Sequence, residues 1–277
     1  MKNSVLIIIS FFIATSVCAQ NSVNASQLNT FFGSKTYVVY DPDLFSDYNF
    51  YIKDAVEKNW TLTDYEFITY DVFEQKLNDR NSSFLVLSDA RLEYDRSKTV
   101  YVFINLLMGS SSGNLSSMPD ICNVPLAVKG QTQETFVYKL PAFVRLIQQH
   151  ALRLKDNPEW LEKDLFSIYE NTQQILTGKT LLAKSNELDP TINSSDKLKK
   201  HGIVGEISTQ EHLEKVIEDK LSEYAFIHIV GRDSRGANCM KAIIGCGEPL
   251  IYFFGYHKVN SAKPCAILSE DLVKIAR

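Results

Sequence analysis

The strongest constraint on how this chain can fold is a pattern that returns once. Lys35-Thr36-Tyr37-Val38 is echoed by Lys179-Thr180-Leu181-Leu182, and Glu66-Phe67-Ile68-Thr69 by Glu206-Ile207-Ser208-Thr209. Phe73-Glu74, Leu77 and Asp79 return as Leu213-Glu214, Ile217 and Asp219. Phe84-Leu85-Val86-Leu87 returns as Phe226-Ile227-His228-Ile229. The offset stays between 140 and 144 residues. A near-constant offset of that length points to a duplicated supersecondary assembly, and missing it would misassign the whole fold. The competing account is chance, because short apolar alternation recurs in any α/β protein.

Within the first copy, Thr36 to Tyr40 reads as a strand ended by Asp41-Pro42. Ser46 or Asp43 can cap the next helix, which places Tyr48, Ile52, Ala55, Val56 and Trp60 on one face. Tyr65 to Tyr70 reads as a strand, and Asp71 opens a short helix with Val72, Phe73 and Leu77 inward. Phe84 to Leu87, Thr99 to Leu107 and Val124 to Val128 are further strand runs. In the middle, Pro141 suits a first helical turn. Phe143, Leu146, Ile147, Ala151 and Leu154 follow at helical spacing. Asn157-Pro158 interrupts, a second stripe runs through Leu161, Leu165, Ile168, Thr172 and Ile175, and Gly178 ends it. In the second copy, strands at Met240 to Ile244 and Leu250 to Tyr256 precede a helix from Ser269 to Ala276. The expected fold is α/β (or α+β). Two similar β-α-β-α-β-β units, at 35–130 and 179–277, are joined by a helical hairpin at 134–178.

The N-terminus carries an export signal. Lys2 gives a positive start, and Val5 to Ala14 is an apolar run broken only by Ser10. A span needs about 20 apolar residues, so this run fits a signal-peptide core better than a membrane anchor. Val17 and Ala19 supply the small residues before a cut between Ala19 and Gln20. Residues 1–19 are therefore expected to be removed, placing a bacterial protein in the periplasm or outside the cell. The alternative is lipidation at Cys18, although Val17 and Thr15 both depart from the lipoprotein pattern. After cleavage no transmembrane segment is expected.

The chain is 45% hydrophobic, which excludes wholesale disorder, and 11% aromatic, which favours strands and a filled core. Its net charge of −4, without Lys2 one unit more negative, argues against a nucleic-acid partner. The densest basic run, Lys197 to Lys200, is short. Beyond the leader, the cysteines are Cys122, Cys239, Cys246 and Cys265. None forms a CxxC pair, so no zinc pattern is present and no metal is expected. Export would permit a disulfide among Cys239, Cys246 and Cys265, but buried free thiols are the preferred reading.

Several constellations resemble chemistry without completing it. Gly231-Arg232-Asp233-Ser234-Arg235-Gly236 is spaced G-x-x-S-x-G, not as a nucleophile elbow. It reads as a hairpin loop, with Arg232 and Arg235 as the residues that would hold an anion. Gly245-Cys246-Gly247 could present a thiol, with His257 the available base. A hairpin turn between Met240–Ile244 and Leu250–Tyr256 is the simpler reading. Asp41, Asp43 and Asp47 gather at a strand-to-helix junction, where acidic residues also favour a helix start. Met108 to Asn114 has the flexibility of a phosphate loop but lacks its Gly-Lys-Ser/Thr ending. No cofactor signature is present.

The leader ending Val-Cys-Ala-Gln, the segment from Trp60 to Ile68 and the segment from Tyr252 to His257-Lys258 resemble a group of exported bacterial proteins. That resemblance implies no activity and no functional residue. The expected function is a non-enzymatic binding or envelope-associated module, compatible with oligomerisation, whose partner is a protein or small ligand of the envelope. The alternative is a secreted hydrolase using Cys246 and His257.

Overall fold

The computed structural model describes residues 22–92, 97–163, 165–170 and 176–276. The leader at 1–19, the cut at Ala19 and Gln20, and Cys18 lie outside the described residues.

The described chain opens on a helix that the sequence reading missed. Asn24 and Gln27 cap each other, side chain to backbone, at 2.9 Å in both directions. This capping box satisfies two amide groups at the start of α1 (Ala25–Phe32). The first unit continues as β1 (Lys35–Val39), α2 (Asp47–Asn59), β2 (Asp64–Ile68), α3 (Tyr70–Lys76), β3 (Ser82–Ala90), β4 (Tyr101–Met108), β5 (Asp120–Val128) and α4 (Leu140–Asp156). The second runs α5 (Leu165–Glu170), β6 (Thr180–Ala183), α6 (Ser195–Lys200), β7 (Gly205–Ile207) and α7 (Gln210–Glu218). It ends with β8 (Tyr224–Gly231), β9 (Asn238–Gly245), β10 (Ile251–Lys258) and α8 (Ser269–Ile275).

These elements form two mixed five-stranded sheets of similar order, β2-β1-β3-β4-β5 and β7-β6-β8-β9-β10. In the first, β1 pairs in parallel with β2 and β3, and β4 and β5 add antiparallel. The second repeats each direction. The protein is α/β with a two-unit repeat. One expectation needs correction. Each unit carries one strand more than β-α-β-α-β-β. In the first, β5 begins at Asp120, ahead of the apolar run, because its ladder tolerates Asn123 and two register shifts. The helical segment that joins the units has counterparts at the two ends of the chain. Helix α4 follows β5 as α8 follows β10, and α5 precedes β6 as α1 precedes β1, so the hairpin is shared between the units. Thr172 and Ile175 of its second stripe lie outside the described residues.

The layers show how the copies dock. Helices α1, α2 and α4 bury Phe31, Ile52, Val56, Phe143 and Ile147 on one face of the first sheet, against Val38, Leu85 and Ile104. Helix α3 covers the other face with Phe73 and Leu77. In the second sheet, α6 and α8 cover Leu181, Ile227 and Phe253 with Leu198, Leu272 and Ile275. Helix α7 lies opposite, and its Leu213, Val216 and Ile217 join the α2/α4 core together with Phe226 and Ile244. The α2/α4 side of one unit therefore meets the α7 side of the other. Non-equivalent faces are in contact, a head-to-tail arrangement.

His228, Lys139 and Arg145 make polar contacts at that joint. His228 Nε2–H donates to Pro125 O at 2.8 Å. Lys139 Nζ donates to Ile227 O at 2.8 Å and pairs with Glu187 Oε1 at 3.2 Å, with both side chains buried. Arg145 donates to Asn59 Oδ1 at 2.9 Å and to Ile217 O at 3.1 Å. Among the described residues no helix is long and apolar enough to cross a membrane.

Candidate functional site

In an open sheet where crossovers leave a strand towards opposite faces, the carboxyl ends of the strands form a natural binding edge. Here α2 and α3 lie on opposite faces of the first sheet, so that edge lies beyond β1 and β3. The loop from Tyr40 to Ser46 occupies it. Leu44 is 82% exposed, Phe45 95%, and Phe50, one turn into α2, 74%. Large apolar side chains so close together and so exposed are unusual on a folded surface, and such patches mark contact sites.

The loop is not slack. Asn49 Oδ1 accepts the Asp41 amide at 2.7 Å, and Asn49 Nδ2 donates to Asp41 O at 3.1 Å and Asp43 O at 3.0 Å. Asp41 Oδ1 accepts the Asp43 amide, and Asp43 Oδ1 accepts the Phe45 amide, at 2.9 and 3.0 Å. These side chain-to-backbone bonds are the local turns that Asp and Asn favour. Ser46, expected to cap α2, makes no such bond to the helix. Gln133 replaces it from across the fold: its Oε1 accepts the Tyr48 amide at 2.9 Å. The backbone is held in place, and the apolar side chains are held outward. The three acidic residues noted in the sequence thus build and flank the loop, with Asp43 and Asp47 exposed.

The residues proposed for chemistry are dispersed. Cys246 lies at the β9–β10 turn, whereas His257 pairs with Cys239 at the far end of the same ladder. Burial pushes the Cys246 thiol up to about 12, so it is not a thiolate near neutral pH. Its carbonyl accepts a hydrogen bond from Arg145. His257 donates Nε2–H to Pro264 O at 2.9 Å. Arg232 is tied to the end of the first sheet through Lys129 O at 3.0 Å, and Arg235 is exposed in the β8–β9 loop. Of the three disulfide candidates, Cys239 and Cys265 meet and Cys246 stands apart.

A second concave feature was not expected. Asp120, Cys122, Asn123, His150, Trp160 and Lys163 line a cavity of about 30 Å³ beside β5. This is a water-sized space rather than a substrate pocket. Tyr169 OH lies 3.0 Å from His150 Nδ1, and burial lowers the imidazole to about 4, leaving it neutral. Cys122 is held well above the usual thiol range by burial. A neutral imidazole beside a protonated thiol is a packing arrangement rather than an activated nucleophile. Among the described residues no group of three or more His, Cys, Asp or Glu is placed to hold a metal ion.

No protein family, curated protein or solved structure matches this chain.

Proposed function

We propose that this chain is an exported, non-enzymatic binding module of the bacterial envelope that holds a polypeptide partner on the β1–α2 loop. The observation that carries this reading is the outward apolar set Leu44, Phe45 and Phe50 on a backbone locked by Asn49, Asp41 and Asp43. A rigid loop loses little freedom on binding, and covering each Phe contributes about 1.5–3 kcal/mol. Asp43 and Asp47 beside the patch favour a partner segment that combines apolar with basic side chains.

The test places a photo-crosslinking residue at Phe45 or Phe50 in the exporting cell, with Leu152 on α4 as a control. One adduct of the same mass from positions 45 and 50, absent at 152, supports the reading. No adduct, or the same adducts at all three positions, removes it. The hydrolase alternative has no comparable support, because Cys246 and His257 sit at opposite ends of their strand pair.

A further inference from the structure

The second unit holds a pair of sulfurs that the proposed binding role does not use. Cys239 lies on β9, between β8 and the edge strand β10, flanked by Gly231 on β8 and His257 on β10. Cys265 lies in the segment after β10, and its sulfur sits over Gly231 beside Cys239. Gly231 makes the approach possible. A Cβ added there would stand 2.6 Å from Cys265 Sγ, too close for a real side chain, and 3.0 Å from Cys239 Cα, a tight contact. Two further contacts hold the Cys265 segment down. His257 Nε2–H donates to Pro264 O at 2.9 Å, and the Cys265 amide donates to Asp233 Oδ1 at 3.3 Å.

The surroundings are unlike those of the other thiols. Lys241 and Asp271 form a buried ion pair two residues along β9. Cys122 and Cys246 are buried, whereas Cys265 is partly exposed and accessible to a reagent.

We propose that Cys239 and Cys265 are a redox-modifiable pair that closes to an intramolecular disulfide and staples the segment after β10 to β9 of the second sheet. Both cysteines are free thiols in this structure. Closure needs a disulfide oxidant, such as oxidised glutathione or an exported oxidoreductase. The accessible Cys265 sulfur bonds to one oxidant sulfur and the other leaves as a thiol. Cys239 sulfur then bonds to Cys265, and the second oxidant thiol leaves. The two hydrogens lost from the cysteines end on the two released thiols, so two electrons pass to the oxidant. The bond would close the chain from 239 to 265 into a ring, a restraint felt mainly in the unfolded state.

The experiment incubates the purified full chain with oxidised glutathione or with dithiothreitol, then alkylates it in denaturant. The expected result is that Cys122 and Cys246 take the label, while Cys239 and Cys265 are recovered in one linked peptide. The oxidised protein should melt roughly 5–10 °C above the reduced protein. Cys265→Ser should abolish both the link and the shift while leaving the reduced melting temperature in place. Labelling of all four thiols after oxidation overturns the proposal. So does a link to any other cysteine or to a second chain, or equal melting temperatures in the linked and reduced states.

Discussion

In the first unit the loop leaving β1 carries Leu44 and Phe45 into solvent; in the second, the loop leaving β6 buries Leu188 and Ile192. Sheet order and strand direction are the same, so the sheet does not explain the difference. The cover does. In the second unit the segment after β10 runs back across the edge: Leu188 bridges Ile267, Ile267 N donates to Glu187 O, and Asp189 N donates to Ile267 O, both at 2.9 Å. Cys265 lies in that covering segment. In the first unit the segment after β5 reaches the loop through the Gln133 side chain. One copy has covered the carboxyl edge of its sheet and the other has left it open. A duplicated fold can thus keep two copies of an architecture while only one keeps a free edge.

The largest expected effect tests whether the units depend on each other. Lys139→Ala would leave Glu187 buried and uncompensated and Ile227 O without its donor. Losing one partner of a buried pair costs about 3–5 kcal/mol. Urea unfolding should show that loss in one transition for both sheets. Two separated transitions, with the second unit unaffected, would mean that the halves fold independently.

Acid should weaken both copies. Burial lowers His228 at the joint to about 3 and His150 in the first unit to about 4, from an ordinary 6.5. Between those values and 6.5 the unfolded chain binds protons that the folded chain does not, so stability rises with pH across the window. Above about 6.5 the contribution is fully present, and by pH 5 each group should have lost about 2 kcal/mol. His228→Phe should flatten the slope by one group's share. An unfolding free energy constant from pH 7 to 5 in the parent protein would refute the assignment.

A smaller effect separates the edges. At the 142-residue offset that relates Phe84 to Phe226, Gly231 corresponds to Asp89. Gly231→Ala should destabilise by about 1–3 kcal/mol, because a Cβ there meets Cys265 Sγ and Asn238 O. Asp89→Ala should fall within about 0.5 kcal/mol, as for an exposed pair with Lys129. Equal losses in thermal melts would remove the claimed asymmetry. Smallest of all, Phe45→Ser should change stability by no more than about 0.5 kcal/mol, since the side chain touches solvent. It should still remove the adduct formed from position 50; a melting change with the adduct intact would break that reading.

Much of the fold was legible because periodicity is local. Tyr48, Ile52, Ala55 and Val56 fall on one helical face in the sequence and on the core side of α2 in the structure. Lys179 to Leu182 and Phe226 to Ile229 mark strands of the second copy before any strand pairing is known. Helix α1 was missed although Asn24 and Gln27 give the signal, as they follow directly on the leader. The candidate site was half legible. The acidic residues of the β1–α2 loop were visible, but the exposure of Leu44 and Phe45 was not, because apolar residues beside a strand read equally well as core.

The sequence by itself determined the repeat, the class of fold and the positions of the hydrophobic stripes, since these depend on spacing along the chain. Only the tertiary structure decided that non-equivalent faces of the copies meet and that Cys239 finds Cys265 rather than Cys246. It alone closed the edge beside β6 and left the one beside β1 open. Those outcomes depend on which segments cross in space, and side-chain spacing along one element carries no record of a crossing made by a separate segment.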